Sequence, residues 1–301
     1  MMHPIYMPFT EEQLESHFAR VKKGRECLPA AKKHLDYYKK SLSGYRNCPE
    51  RKELRKSLEE IKRPCQVEKD EKFWTAACLM TVFHSKTQAA ELIKLFRKAY
   101  GDVPPLSEFG SWEECVKGEL HLFFETNLPS PKPYTAWLRE NLNNRQLIPY
   151  ILDSDNGKKN LEGPTNVDAI LMNSDNGFAL IVEAKVLSDI SYQVTYDVMR
   201  NQIARNVDVM LDKNPLLAPP LDERDPEKTL FLLLTPRRFQ ENPASRLYGY
   251  KFNEYKSNPE MLGQDLPHRT DCDWTAISKR LGWLSWEDFK GVNEDSCRWL
   301  D

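Results

Sequence analysis

The sequence predicts an α/β protein with a mixed central sheet, flanking helices and an additional N-terminal helical region. Three observations lead to this prediction: apolar residues at helical spacing before residue 105, short apolar runs between turn residues from 147 to 235, and one helical stretch before the last run. Strands interrupted by a single helix are typical of a mixed sheet. We divide the chain into an N-terminal helical region (1–105), a core (106–240) and a C-terminal helical extension packed on the core (241–301).

Composition limits the function only loosely. Hydrophobic residues make up 40% of the 301 residues, charged residues make up 29%, and the formal net charge is −2. Between Arg20 and Arg63, Lys and Arg outnumber Asp and Glu by 15 to 6. Such a segment suits a nucleic-acid face or, equally, a solvated pair of helices.

The cysteines and the apolar runs bear on location. The seven cysteines are widely spaced and include no CxxC pair, which favours reduced thiols in a cytoplasmic protein. The sequence shows neither a signal-peptide pattern nor an apolar run of membrane-spanning length. We therefore expect a cytoplasmic protein that does not enter a membrane.

Helical patterns fill the N-terminal region and continue into the core. The predicted helices span residues 10–25, 73–83, 88–100, 112–126 and 134–142, with further helical spacing up to residue 62. Ser85 and Gln88 form a capping-box pattern before the third helix, and Gly101 follows its end. In the fourth helix, Glu119 interrupts an otherwise apolar face.

Strand patterns dominate the middle of the chain. The predicted strands span residues 147–152, 166–173, 178–186 and 229–235, with a helix over residues 191–212 and a helical, Trp-rich tail over residues 273–289. In that tail, we expect Trp283 and Trp286 to pack in the core rather than to stack on bases. No glycine-rich phosphate loop follows any strand.

One hairpin gathers charged residues at the end of apolar strands. A four-residue turn over residues 174–177 pairs positions whose numbers sum to 351, so Asp168 faces Glu183. Because side chains alternate along a strand, Lys185 points to the same side as these two carboxylates. Apart from this trio, the paired residues on both sides of the hairpin are apolar. Both faces are therefore suited to burial.

Two hypotheses explain this trio. Adjacent carboxylates repel each other unless a cation lies between them, and a hard divalent ion with oxygen ligands, Mg²⁺ above all, fits Asp168 and Glu183. Lys185 would then stabilise developing charge or orient a water molecule. Alternatively, Lys185 forms a structural salt bridge with one of the two carboxylates.

At these residues the sequence resembles the PD-(D/E)XK nuclease superfamily. The matching pieces are Asp168 in TNVDAIL and the Glu183 to Lys185 segment in LIVEAKV, although Val167 stands where the motif has proline. The resemblance covers roughly residues 110 to 240. It implies a restriction-endonuclease-like core and Mg²⁺-dependent hydrolysis of phosphodiester bonds in nucleic acid.

The resemblance also implies further site residues. Many members carry a glutamate on the helix before the sheet, for which Glu119 is the first candidate and Glu140 the second. Some members place a glutamine on the helix after the ExK strand, and Gln202 fits that position. On the same predicted helix, Arg200 and Arg205 are candidate nucleic-acid contacts; each of these polar residues also suits an ordinary helix surface. Glu162, just before the predicted strand over residues 166–173, is a loop residue or a further acid near the metal.

These observations predict a Mg²⁺-dependent nuclease acting on DNA. Asp168 and Glu183 are the expected metal ligands, and Lys185, Glu119 and Gln202 complete the expected catalytic set. The alternative is a catalytically inactive nucleic-acid-binding or scaffold protein that retains the fold. A third hypothesis is a helical interaction protein whose α/β part is only structural.

Overall fold

The computed structural model describes residues 9–18, 20–23, 26–29, 70–145, 161–191, 197–213 and 217–300. The described strands are β1 (Arg20–Lys23), β2 (Glu26–Pro29), β3 (Leu120–Leu128), β4 (Thr165–Asn173), β5 (Ala179–Ala184), β6 (Thr229–Thr235) and β7 (Leu281–Ser285). The described α-helices are α1 (Glu11–Ser16), α2 (Glu71–Phe83), α3 (Gln88–Tyr100), α4 (Trp112–Val116), α5 (Lys132–Arg145), α6 (Gln202–Met210), α7 (Arg237–Glu241), α8 (Leu247–Ser257), α9 (Glu260–Asp265), α10 (Trp274–Lys279) and α11 (Trp286–Val292). Short 3₁₀ turns lie at Leu221–Glu223, Pro226–Lys228 and Pro243–Ser245.

The centre of the structure is a five-stranded mixed sheet in the order β3-β4-β5-β6-β7. The first three strands are antiparallel neighbours, whereas β6 runs parallel to β5 and β7 parallel to β6. Since α6 lies in the chain between β5 and β6, it provides the crossover that a parallel pair requires. The predicted mixed sheet with flanking helices is confirmed.

Apolar side chains cover both faces of this sheet. One cluster joins α2, α3 and α11 to residues such as Leu171 and Val182. A second cluster joins α6, α8 and α10 to the opposite face, which includes Ile170 and Ile181. Trp286 belongs to the first cluster and Trp283 to the second, and both are buried, so their predicted core role is confirmed.

The pairing of β4 with β5 follows the predicted register. Ala169 pairs with Val182 and Met172 with Ala179, so paired positions sum to 351. The backbone N–H of Asn173 donates to the carbonyl of Phe178 at 2.8 Å, which closes the turn. The two apolar runs and the turn residues between them were sufficient to predict this hairpin.

The helix predicted over residues 112–126 is wrong. Helix α4 ends at Val116, and β3 follows from Leu120 to Leu128. Gly118 between them has φ +121, and a side chain there would collide with Asp175. This backbone conformation, which favours glycine, ends the helix and turns the chain into the sheet.

Other element boundaries also differ from the prediction. In place of a helix over residues 10–25, the structure has the short α1 followed by β1. Helix α6 begins at Gln202, because the Asn201 side chain caps it by accepting from the backbone of Ile203 and Ala204. The tail contains β7 as well as helices. Helix α3 forms as predicted, but the Ser85 hydroxyl donates to Glu91 instead of making the predicted capping box.

Some predictions fall on parts of the chain outside the described residues. These are the strand over residues 147–152, most of the basic segment from Arg20 to Arg63, and the first part of the helix over residues 191–212. Among the described helices, none is long and apolar enough to span a bilayer.

The expectation of reduced thiols throughout is wrong at one pair. Cys78 in α2 and Cys297 after α11 form a disulfide across 219 residues of chain, with a Cα–Cα distance of 5.5 Å. Nothing in the local spacing of the cysteines signals this pair, because only the fold brings the segment after α11 against α2. Cys115 and Cys272 are free thiols.

Candidate functional site

Asp168 and Glu183 lie on the same face of the sheet, at the end of the hairpin. Their neighbours on that face, Ile170 and Ile181, belong to the apolar cluster under α6. One carboxylate oxygen of Asp168 accepts a hydrogen bond from the backbone N–H of Ala184 at 2.8 Å. The two carboxylates therefore come together where β4 and β5 separate, as the register predicts.

Lys185 completes this trio from the end of β5. Its ammonium group donates to the Glu183 carboxylate and, at 3.1 Å, to the carbonyl oxygen of Ala184. The backbone N–H of Lys185 donates to Leu234 of β6 at 2.8 Å. The lysine is 4% exposed, so its charge is held inside the protein beside a carboxylate that is itself buried.

A helix carboxylate lies beside the trio, and it is Glu71. Its Oε1 lies 3.6 Å from the Lys185 ammonium. Its Oε2 accepts from the backbone N–H of Val186 at 3.1 Å and from the Ser188 hydroxyl at 2.5 Å. Glu71 is the first residue of α2, after the capping residue Asp70. Since a cap followed by an acid is a common start of a helix, this glutamate gave no sequence signal of its own.

Helix α6 contributes two amides to the same carboxylate. Gln202 Nε2 donates to one oxygen of Glu183 at 2.5 Å, and Asn206 Nδ2 donates to the other at 2.7 Å. The structure therefore places Gln202 in the site, as predicted, and adds Asn206. The two residues are four apart on the helix, so they present their amides on one side of it.

Strand β3 adds a further acid, Glu125, which is fully buried. It sits where the β3–β4 register skips one pair, directly across from Asp168, and its φ of 50° lies in the left-handed region. Its carboxylate accepts from the Lys72 ammonium and from Asn166 Nδ2, the latter at 2.6 Å. A non-glycine residue in that conformation costs roughly 1–3 kcal/mol and is typical of functional sites.

Burial dominates the electrostatics of the trio. It raises the pKa of Glu183 to about 7, despite the opposing charge of Lys185, and the charge of Asp168 contributes in the same direction. Burial also raises the pKa of Asp168, again against Lys185. For Lys185, burial disfavours the ammonium, but the carboxylates of Glu183, Asp168 and Glu71 outweigh it and raise the pKa.

The two predicted helix carboxylates are elsewhere. Glu119 lies in the turn before β3 rather than on a helix, with its side chain 72% exposed and 3.8 Å from His121. Glu140, on α5, is exposed. The error follows from the wrong helix over residues 112–126: once that segment is a strand, the buried acid of the region is Glu125 and not Glu119.

Arg200, Arg205 and Glu162 form a separate buried network. Glu162 accepts from Arg200 at 3.1 Å and from Arg205 Nε at 3.0 Å. Arg200 also donates to Asp208 and lies 3.7 Å above the Tyr134 ring. Arg200 is fully buried, whereas the Arg205 side chain is 18% exposed. Contact of these two arginines with nucleic acid stays a prediction. Glu162 is a loop residue that pairs with arginines rather than an acid of the site.

The donor set of the trio is compatible with Mg²⁺. This ion is commonly held by one or two carboxylates, with water and substrate phosphate completing its octahedron. Asp168 and Glu183 supply two such carboxylates, and burial raises the pKa of both, which disfavours their charged forms when no cation is bound. Within the described residues, no group of three or more His, Cys, Asp or Glu side chains could by itself hold a metal.

Comparisons with known proteins do not assign the chain to a family. No protein-family model, no curated protein and no solved structure matches it. The resemblance to PD-(D/E)XK nucleases therefore rests on the residues around Asp168, Glu183 and Lys185 alone.

Proposed function

We propose that this protein is a Mg²⁺-dependent nuclease that hydrolyses phosphodiester bonds in DNA. The observation that carries the proposal is the convergence of Asp168, Glu183 and Lys185 at the end of one hairpin, with the Gln202 amide on Glu183. The order of three antiparallel strands, a crossover helix and a parallel strand also agrees with the resemblance.

Each residue would have a distinct role. Asp168 and Glu183 would hold the ion, which when bound supplies a Lewis acid for the scissile phosphate and a more acidic bound water. Lys185 would stabilise negative charge that develops on the phosphate. Gln202 and Asn206 would orient the Glu183 carboxylate, while Glu71 keeps the Lys185 ammonium at the end of β5.

Cleavage of supercoiled plasmid tests the proposal directly. The wild type should nick or linearise the plasmid with Mg²⁺ and not with EDTA. Glu183→Gln and Lys185→Ala should each lower the rate by about 10²–10³-fold, the usual loss on removing one electrostatic contact in a site. Glu260→Gln and Lys279→Ala are matched controls on exposed helix positions and should cleave as the wild type does. A wild type that is inactive with Mg²⁺ contradicts the proposal.

The second candidate function is a catalytically inactive DNA-binding or scaffold protein. One observation favours it: both oxygens of Glu183 already accept hydrogen bonds from the protein, so the carboxylate is satisfied without a metal. Under this alternative, a fluorescent DNA duplex would bind with the same affinity in Mg²⁺ and in EDTA, and no condition would give cleavage.

A cytoplasmic location remains part of the same proposal. The Cys78–Cys297 disulfide argues against it, since such bonds are rare in reducing compartments. Trapping free thiols in intact cells before lysis tests the point. A cytoplasmic protein should release both cysteines as free thiols, whereas full protection of the pair would contradict this location.

A further inference from the structure

Two histidines at the ends of separate helices face each other. His17 follows the last residue of α1, and His84 follows the last residue of α2. Their Nε2 atoms lie 2.9 Å apart, although the residues are 67 positions apart in sequence. His17 is buried, whereas His84 is exposed. The pair is therefore reached by solvent from the His84 side.

A backbone carbonyl fixes the orientation of the His17 ring. Nδ1 of His17 lies 2.8 Å from the carbonyl oxygen of Leu122 in β3. Because a carbonyl oxygen only accepts, Nδ1 carries the proton and donates it, and Nε2 of the neutral ring presents a lone pair towards His84. Histidines that bind metals typically have this arrangement, since the carbonyl on the second nitrogen fixes the tautomer and makes the ligand more basic.

Aromatic rings surround the two imidazoles. The centre of the His17 ring lies 5.3 Å from that of Phe83 and 5.8 Å from that of Phe124. The centre of the His84 ring lies 5.4 Å from that of Phe9 and 5.2 Å from that of Phe83. These rings position both imidazoles and leave their ring nitrogens unoccupied, because a phenyl ring has no hydrogen-bonding atom.

The surroundings keep both imidazoles neutral at neutral pH. Burial lowers the pKa of His17 against the hydrogen bond to Leu122, and the charge of His84 adds to the effect of burial. Burial also lowers the pKa of His84. A metal binds imidazole only in its neutral form, so the pair can accept a cation without first losing a proton to solvent.

The spacing of the two Nε2 atoms fits a shared ion. Imidazole nitrogens lie about 2.0–2.1 Å from a divalent transition ion, which places two cis ligands of a square-planar or octahedral ion about 2.9 Å apart. Two ligands of a tetrahedral ion are about 3.3 Å apart. The observed 2.9 Å matches the first geometry. A shift of about 0.4 Å at the exposed His84 would give the second.

We propose that His17 and His84 bind a divalent transition ion of the Cu²⁺ and Zn²⁺ class, which joins the end of α1 to the end of α2. Water would fill the other coordination positions, since within the described residues no group of three or more His, Cys, Asp or Glu side chains could hold a metal. Imidazole is a ligand that these ions favour, whereas Mg²⁺ selects oxygen. The site is therefore separate from Asp168 and Glu183 and does not depend on the proposed function.

The competing explanation is a hydrogen bond between the two rings. In that case Nε2–H of His84 donates to Nε2 of His17, and the pair has no affinity for a cation. Binding of an ion requires only that this proton move to Nδ1 of His84, where solvent is in reach. Metal titration therefore separates the two explanations.

Calorimetric titration of the metal-free full chain with Zn²⁺ tests the site. The wild type should bind Zn²⁺, and excess Mg²⁺ should not displace it. His17→Gln and His84→Gln should each weaken binding by at least about 10-fold, a loss seen even when a group that only orients a ligand is removed. The matched control is His121→Gln, since Nε2 of His121 contacts the Ser174 hydroxyl at 3.1 Å instead of a second histidine. This control and Glu183→Gln should both bind Zn²⁺ as the wild type does.

Two further measurements show that the ion lies between the histidines. Electron paramagnetic resonance of bound Cu²⁺ should show splitting from two nitrogen ligands in the wild type and from one in His84→Gln. Zn²⁺ at about 100 times its Kd should raise the ratio of folded to unfolded wild type by about 100-fold and so raise its melting temperature. His84→Gln should not respond, and its melting temperature without metal verifies that it folds.

Two results would overturn the inference. One is a wild type that does not bind Zn²⁺, and the other is a Zn²⁺ affinity that neither histidine variant changes. Either result leaves the hydrogen bond as the role of the pair. DNA cleavage enters none of these measurements, so failure of the nuclease proposal would leave this site standing.

Discussion

The buried carboxyl group of Glu183 should control how stability depends on pH. Its pKa is raised from 4.5 to about 7 in the folded protein, chiefly by burial. The folded state therefore holds the proton more tightly than the unfolded state does. This contribution to stability is complete below pH 4.5 and is lost as the pH rises to about 7. At about 1.4 kcal/mol per pKa unit, the total loss is about 3 kcal/mol.

Replacing Glu183 by glutamine removes that titration. Urea unfolding at a series of pH values between 4.5 and 8 should show a smaller decline in the free energy of unfolding for Glu183→Gln than for the wild type. The two curves should diverge by about 3 kcal/mol over the range. The exposed control Glu260→Gln should follow the wild type throughout. Parallel curves for Glu183→Gln and the wild type would refute the argument from burial.

The same curves test metal binding without any activity measurement. A divalent cation bound to Asp168 and Glu183 favours their charged forms, so millimolar Mg²⁺ should stabilise the wild type above pH 7 and flatten its pH dependence. Glu183→Gln should show little response, since it lacks one of the two ligands. If Mg²⁺ leaves the wild-type curve unchanged, the proposed metal site is wrong even if the pKa argument holds.

Three further predictions concern other parts of the structure. Arg200→Met leaves the buried carboxylates of Glu162 and Asp208 without their guanidinium partner, and it should lower the free energy of unfolding by about 3–5 kcal/mol in urea. A change below about 1 kcal/mol would mean that the pairing is not needed. Burial lowers the pKa of His17, so stability should fall as the pH drops below about 6.5 towards that lowered pKa, and NMR titration of the ring should confirm it; a pKa at or above 6.5 would contradict the stated burial. Cys78→Ser should cost about 2–5 kcal/mol in oxidising buffer, and reductant should lower the wild type to the same value; insensitivity to reductant would show that no disulfide forms.

Local patterns predicted the part of the site that depends on local geometry. The β4–β5 hairpin could be placed because two apolar runs flank a four-residue turn, so the register followed from counting. The register in turn placed Asp168 opposite Glu183. The position of Gln202 followed from the resemblance, which places a glutamine on the helix after the ExK strand.

The rest of the site depends on contacts between distant segments. Glu71 reaches Lys185 across 114 positions of sequence, and no local pattern records such a contact. Glu125 was not predicted from the sequence, because the apolar residues of LHLFFETNL fit a wide helix face as well as a strand. Gly118, with its positive φ, ends the helix and lets the following residues form a strand. A single glycine in a sequence does not indicate which backbone conformation it adopts.

A structural ion pair does not account for the composition of the trio. Neutralising Lys185 requires one carboxylate, and Glu183 already provides it in direct contact. Asp168, which is half-buried, adds a second carboxylate whose charge raises the pKa of Glu183 and so disfavours the ionised form of Glu183. The hydrogen bond that Asp168 accepts from Ala184 does not need a charge, since an asparagine oxygen would accept it equally well. Under the proposed function, a cation held between Asp168 and Glu183 would use the negative charge at position 168.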